Sequence, residues 1–233
     1  MHDAETLQQE ARIRQMFSDI AHRYDLLNRL LSLGQDGHWR RAMVAQAALP
    51  EGGRLLDLAT GTGDVALLAA RSFPRSTIVA TDLTPRMVEL AREKEGAERV
   101  RWGVADAIAL PFPDRSFDVV TSAFMLRNVP DVRRAFAEQR RVLRPGGQSL
   151  TLEMCWPDRA PMSVLFHLYF LKWTPLLGGM LSGHREAYTY LPQSVRRFMR
   201  PTEVAAVMQE VGFREVSWSL RMGGTVALYT GKR

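Results

Sequence analysis

An apolar run, Leu55-Leu56-Asp57-Leu58, breaks into Ala59-Thr60-Gly61-Thr62-Gly63-Asp64, and a second run, Thr77-Ile78-Val79-Ala80, ends in Thr81-Asp82-Leu83. Strand, Gly-x-Gly turn, helix and strand ending in an acid make a βαβ unit that binds a nucleoside. Glycines let the backbone turn tightly and approach a ligand, and the terminal acid can hold both ribose hydroxyls. Few folds accommodate such a unit, and all of them bind at the carboxyl ends of a parallel sheet.

The rest of the chain keeps that rhythm. Strands are expected near 54–59, 77–82, 100–104, 117–123 and 148–154, with helices near 63–72, 84–94 and 130–142. Before them, Ala11 to Leu33 reads as one helix, with Ile13, Phe17, Ile20, Tyr24, Leu27 and Leu31 at helical spacing and Gly34 ending it. His38 to Leu49 reads as a second helix, stopped by Pro50. After Cys155 the alternation stops, and 157–200 reads as a helical insertion rich in Leu, Phe, Tyr, Trp and Met. A helix follows from Pro201 to Val211, with Thr202 as its cap and Gly212 past its end. Two strands around 213–218 and 225–229, joined at Gly223-Gly224, close the chain. The expected fold is α/β and Rossmann-like: a seven-stranded, mostly parallel sheet with an antiparallel last strand. Residues 1–50 are a helical cover on a 51–233 body within one structural domain, and 157–200 forms a helical lid.

The 233 residues suffice for such a domain. A single cysteine, Cys155, excludes an intrachain disulfide framework and fits a reducing, cytoplasmic compartment. The start, Met1-His2-Asp3-Ala4-Glu5, lacks a basic n-region, so no signal peptide is expected. The most apolar stretch, 162–182, is interrupted by His167, Lys172, Pro175 and Gly178-Gly179, which argues against a membrane span. A net charge of +6, mostly from arginine, suits nucleic acid, an anionic membrane surface, or a merely solvated exterior. Scattered histidines offer no metal-ligand cluster, so no metal is expected.

Gly61-Thr62-Gly63-Asp64-Val65-Ala66 formally fits the dinucleotide pattern, but three features favour S-adenosylmethionine over NAD. Asp57 can meet an α-amino group, which NAD lacks. Asp106-Ala107, past the third strand, can accept from an adenine amino group. Arg144-Pro145-Gly146-Gly147, between a helix and a strand, is similar to class I methyltransferases. Each acid has a plainer reading: Asp57 on loop amides, Asp82 capping the helix at Thr84-Pro85, Asp106 in a turn. Their joint position at the ends of three consecutive strands favours the ligand.

Phe17-Ser18-Asp19-Ile20-Ala21-His22-Arg23-Tyr24-Asp25-Leu26-Leu27-Asn28, with Trp39-Arg40-Arg41, resembles the N-terminal signature of the menaquinone/ubiquinone biosynthesis C-methyltransferases. Asp118 to Val129, with its Arg127-Asn128 pair, resembles the second signature. Ala187-Tyr188-Thr189-Tyr190-Leu191-Pro192-Gln193-Ser194 and Gly223 to Leu228 match further blocks, so the resemblance spans about 12–231. The chain departs at Ala123, a serine in some members, and at Gln35-Asp36-Gly37. The resemblance implies methylation of a ring carbon of a reduced polyprenyl quinol: demethylmenaquinol to menaquinol first, a 2-methoxy-6-polyprenyl benzoquinol as alternative. It implies cofactor contacts at Thr62, Asp82, Asp106 and Ala107, to which the residue reading adds Asp57, Thr60, Gly61, Gly63 and Leu83.

The sulfonium methyl is already activated, so the protein must align a nucleophilic carbon and exclude water. That carbon is activated when the adjacent hydroxyl, with a pKa near ~10, ionises. Arg127 is expected to stabilise the phenolate, Asn128 to bond the second ring oxygen, Tyr24 to orient the ring, and Asp25 or His22 to relay the proton. Leu165, Phe166, Leu168, Tyr169, Phe170, Leu171, Trp173, Leu176, Leu177 and Met180 offer an apolar wall for a tail, or plain packing. Lys172, Arg185, Arg196 and Arg197 offer contact with anionic lipid at the inner face of the cell membrane. A homodimer is compatible with the chain. Competing readings are a methyltransferase of RNA or a small metabolite, disfavoured by the lack of a basic-aromatic stretch for stacking bases, and a non-catalytic scaffold, disfavoured by the intact acids and glycines.

Overall fold

The computed structural model describes residues 4–157, 161–168 and 185–233. Seven strands form one sheet: β1 (Arg54–Leu58), β2 (Thr77–Asp82), β3 (Val100–Val104), β4 (Phe117–Ala123), β5 (Leu143–Met154), β6 (Arg214–Arg221) and β7 (Val226–Lys232). Their order is β3-β2-β1-β4-β5-β7-β6; β1 to β5 pair in parallel, and β7 runs antiparallel to both β5 and β6. The order reverses between β1 and β4, and a crevice opens there at the carboxyl ends.

Alternation along the strands builds a core on each face. Leu56, Leu58 and Val120 pack with Phe136 and Met208 from α6 (Val132–Val142) and α9 (Pro201–Glu210). Leu55 and Val119 point the other way, onto Trp39 and Met43 of α3 (Asp36–Val44) and Val65 and Ala69 of α4 (Asp64–Ser72). The helix α5 (Pro85–Arg92) follows β2. Within the insertion, α7 (Met162–Leu168) and α8 (Arg185–Arg197) are described; Tyr169, Phe170, Leu171, Lys172, Trp173, Leu176, Leu177, Met180 and the Arg185 side chain lie outside the described residues.

Three local expectations are corrected. The first helix is not continuous: α1 (Ala4–Ile20) gives way to a 3-10 turn at Ala21–Arg23 and then α2 (Tyr24–Leu31). Phe17 and Tyr24 meet edge-to-face at 6.0 Å across that turn. The second helix begins earlier and ends at Val44; beyond the turn at 45–46 the Ala48 amide donates to Gln148 Oε1 of β5 at 2.9 Å instead of continuing the helix. Thr202 does not cap α9; Pro201 occupies its first turn, Arg200 is the capping residue, and the Glu203 carboxylate accepts from the Arg200 amide at 2.7 Å.

Candidate active site

The turn after β1 needs left-handed backbone at Gly61 (φ 57°) and Gly63 (φ 87°). The two glycines do different work. A Cβ at Gly63 would stand 2.6 Å from the Trp102 ring, so this glycine is demanded by the protein's own packing. At Gly61 the nearest atom would be the Tyr24 ring at 3.7 Å, which leaves room for a ligand.

Asp57 pairs in register with Thr121, which sets the Thr121 hydroxyl 2.7 Å from its carboxylate; the Thr60 hydroxyl donates to the other oxygen at 2.6 Å. Neither partner is a loop amide or a cation. Burial pushes the Asp57 carboxyl up to about 7, against the hydroxyl bonds and the field of Arg40. A buried acid without a cation at hydrogen-bond distance fits the α-amino group of S-adenosylmethionine. Asp82 accepts from the amides of Gly61 and Thr84, both at 2.8 Å, so it ties the glycine turn to the residue that precedes α5, without capping that helix. Burial raises its pKa, and those amide bonds oppose the rise. Asp106 accepts from the Ile108 amide at 3.0 Å, as a turn residue does, and also lines the cleft with Ala107 and Leu83.

Three cavities meet at this end of the sheet. A cleft of about 880 Å³, counted to its open mouth, is lined by Asp82, Asp106 and Gly61 below and by Ile13 and Phe17 of α1 above. A small recess over Asp57, Thr60, Thr62 and Asp64 adjoins it. A larger, more apolar cavity of about 990 Å³ lies behind them, among Leu31, Trp39, Phe166 and Leu191. Tyr24 and Phe124 line all three. Phe124 sits at φ 62°, a strained conformation for an aromatic residue, held by its carbonyl accepting from Arg127 Nη1 at 2.9 Å and Asn128 Nδ2 at 3.1 Å.

The residues expected to act on a substrate are thus distributed unevenly. Tyr24 stands where the cavities meet; burial raises its phenol pKa, while a hydrogen bond from Asn28 and the fields of Arg127 and Arg40 pull it down. Arg127 lines the larger cavity but is already ion-paired: Nη1 reaches Glu153 Oε1 at 2.5 Å, and its side chain is 7% exposed. Asn128 lines the cofactor-side cleft instead; its Oδ1 accepts from Tyr190 of α8 at 3.0 Å. Asp25 lines none of the three cavities. It accepts from Thr62 Oγ1 at 2.5 Å and pairs with Lys94 at 2.6 Å, and Lys94 also reaches Asp64 at 2.8 Å, so a polar latch ties α2 to the glycine turn. His22 is exposed and within 2.7 Å of Arg86 Nη2, away from the cavities.

Sequence reasoning missed Arg40 and Asp36. Arg40 is buried, lines both the recess and the larger cavity, pairs with Asp36, and stands 5.9 Å over the Phe124 ring. Asp36 also lines the larger cavity and accepts from the Ser32 hydroxyl at 2.9 Å. Burial would raise its pKa, but the Arg40 and Ser32 bonds win and lower it, so it acts as an acceptor more than as a strong base. The Trp39-Arg40-Arg41 block and the departure at Gln35-Asp36-Gly37 were the available signals.

The family model described as the ubiE/COQ5 methyltransferase family matches residues 5–233. The chain is 46% identical over 220 residues to the demethylmenaquinone methyltransferase of Thermus thermophilus, covering 94% of this chain and 100% of that one. It is 46% identical to a ubiquinone/menaquinone biosynthesis C-methyltransferase of Geobacter sulfurreducens, over 95% of this chain and 88% of the other. Among solved structures, a SAM-dependent methyltransferase from Aquifex aeolicus aligns with a TM-score of 0.61 at 18% identity, over 83% of this chain and 88% of that one. The phosphoethanolamine N-methyltransferase 2 of Haemonchus contortus, solved with S-adenosyl-L-methionine, aligns at 0.62 and 16% identity, over 84% and 52%. These two likenesses establish the Rossmann-like methyltransferase fold.

Proposed function

The chain belongs to the ubiE/COQ5 methyltransferase family and is an S-adenosylmethionine-dependent methyltransferase; from that premise we propose that it methylates the ring carbon of demethylmenaquinol, the last step of menaquinone formation. The observation that carries this reading is the pair of cavities meeting at Tyr24 and Phe124: one ringed by strand-end acids, the other apolar and carrying two arginines. When bound, S-adenosylmethionine supplies an electrophilic methyl group. Asp57 would hold its ammonium, Asp82 the ribose, and Asp106 with Ala107 the adenine; Thr60, Gly61, Thr62, Gly63 and Leu83 shape the walls.

The substrate ring is assigned to the larger cavity, against Tyr24. Arg127 and Arg40 favour the charged form of the Tyr24 phenol, and a substrate phenolate beside it meets the same field. Asp36, held by Arg40, is placed to accept a hydrogen bond from a ring hydroxyl. Methyl transfer would form the new ring C–C bond as the methyl–sulfonium C–S bond breaks, with S-adenosylhomocysteine as leaving group, and loss of the ring proton to solvent would restore aromaticity. Asn128 and Tyr190 keep the Phe124 turn in shape. In this reading α1, α2 and α3 cover both ligands and α7 and α8 serve as lid; α1 and α2 already line the clefts. A polyprenyl substrate resides in a bilayer, so the protein works as a peripheral visitor to an anionic membrane; among the described residues no helix is long and apolar enough to cross one.

Methyl transfer from labelled S-adenosylmethionine tests the substrate. Purified protein is given reduced demethylmenaquinone and the 2-methoxy-6-polyprenyl benzoquinol separately, with mass detection. The expected product is the methylated naphthoquinol. Turnover of the benzoquinol alone would move the role to ubiquinone formation, and turnover of neither would reject quinol chemistry.

A further inference from the structure

All the exposed large hydrophobic side chains among the described residues, except Leu83 and Val104, fall on three separate segments. Leu26, Leu30 and Leu33 lie on α2 and its exit. Val164, Leu165 and Leu168 lie on α7. Leu220 and Met222 follow at the end of β6, with Trp218 two residues before. Of these exposed side chains, one per segment lines the larger cavity: Leu33, Leu165 and Met222, which remain 67%, 57% and 42% exposed. The leucines of α2 at positions 26 and 30 share one helix face, one turn apart. Scattered exposed leucines need no explanation, but three exposed apolar segments that all contribute to the lining of one cavity do.

Two further observations bear on what covers these segments. Leu33 (φ 53°) and Met222 (φ 46°) both adopt left-handed backbone, a conformation that side chains of their size resist. The fold holds these two apolar side chains against the larger cavity in spite of that strain. The charge pattern is one-sided as well. Residues 26–33, 162–168 and 216–225 contain no Asp or Glu, while Arg29 and Arg221 lie within them. Neither arginine has an ion-pair partner among the described residues.

We propose that the apolar rim formed by α2, α7 and the end of β6 is a docking surface for an anionic lipid bilayer, which it meets with the mouth of the larger cavity facing the membrane. This rests on the quinol reading, because a polyprenyl tail is lodged in lipid and must enter the cavity without crossing water. Leu33, Leu165 and Met222 bridge lipid and cavity, the outer leucines enter the headgroup boundary, and Arg29 and Arg221 meet the phosphates. The surface differs from the basic residues of the insertion singled out by sequence, and it commits the protein to one orientation.

The test is co-sedimentation of the full chain with vesicles of phosphatidylcholine alone or with phosphatidylglycerol. It compares the natural protein with Leu26→Asp/Leu30→Asp and with Val164→Asp/Leu168→Asp. These positions line no cavity. Each double variant is expected to lower partitioning onto anionic vesicles by about tenfold. Methylation of a tail-less, water-soluble demethylmenaquinol should stay within about twofold, showing the fold intact, while turnover of long-tailed quinol in vesicles falls with partitioning. Arg29→Ser/Arg221→Ser should flatten the salt dependence of binding. Unchanged partitioning in the variants, or no anionic-vesicle binding by the natural protein, overturns the proposal. So does a dimer, seen by light scattering, that the aspartates dissociate without altering vesicle binding; that result assigns the rim to a second copy of the chain. Vesicle binding is read without turnover, so failure of the quinol reading would show separately, as no methylation of either substrate by the natural protein.

Discussion

The cofactor-side cleft and the apolar cavity behind it share two aromatic walls and almost nothing else. The first is built from strand ends. Asp82 ends β2 and Asp106 stands two residues past β3, while Asp57, inside β1, floors the adjoining recess; their carboxylates are held by hydroxyls and backbone amides near the sheet. The second is assembled from α2, α3, α7, α8 and the loop after β6, and its charges are already paired, Arg127 with Glu153 and Arg40 with Asp36. One region leaves an acid without a cation, while the other has offset its charges before a ligand arrives. A site for a cationic ligand can keep a lone carboxylate; a site for a neutral quinol that ionises only transiently needs cations whose own burial is already compensated.

The largest effect is expected where that compensation is removed. Glu153→Ala leaves Arg127 buried and unpaired and frees the turn at Phe124. It should cost about 3–5 kcal/mol of stability in urea unfolding. A loss below about 1 kcal/mol would mean that the pair does not support the apolar cavity.

On the other side, Asp57→Asn should weaken S-adenosylmethionine binding by about 30-fold or more, measured by calorimetry, with little change in quinol KM. Its pH behaviour has a definite sign. The folded carboxyl is raised to about 7 from an ordinary value of 3.8. The unliganded fold therefore holds the proton that the unfolded chain releases, and Asp57 favours folding less as pH climbs from about 4 to 7. Cofactor affinity moves oppositely, rising with pH through about 7 as the carboxylate becomes available to the ammonium. Asp57→Asn should abolish both trends; persistence of either would assign it to another group.

Tyr24→Phe probes the shared wall. Loss of one phenol should lower kcat about tenfold while leaving both ligands bound within about threefold. A change confined to cofactor affinity would place Tyr24 on one side only. The smallest effect belongs to the latch: Lys94→Met removes two partly exposed ion pairs worth about 1 kcal/mol together and should speed cofactor release a few-fold in stopped-flow.

The same contrast explains what could be read from sequence. Strand-end acids are legible because a parallel sheet turns each strand's last residue toward one crevice. The role of Gly63 was only half legible, since its constraint comes from Trp102 across the sheet. Arg127 and Asn128 are legible as a pair, but not that they hold the Phe124 carbonyl, because Arg127 is held there by Glu153 of β5, distant in the chain. Asp25 drew attention through its place next to Tyr24, yet one residue along a helix turns a side chain by about 100° and sends it to Lys94 instead. Asp36 and Arg40 escaped because nothing local marks a residue as facing a cavity made by segments far apart in the chain. The early end of α3 was hidden for the same reason: the Ala48 amide beyond it is taken up by Gln148, far along the chain.

The most direct test of the two-cavity account is a crystal structure with S-adenosylhomocysteine and a short-tailed demethylmenaquinol bound together. The account predicts the amino acid moiety over Asp57, the ring in the larger cavity against Tyr24, and its reactive carbon facing the sulfur past Phe124. A ring seated in the cleft with Asp82 and Asp106, or found outside both cavities, would contradict it.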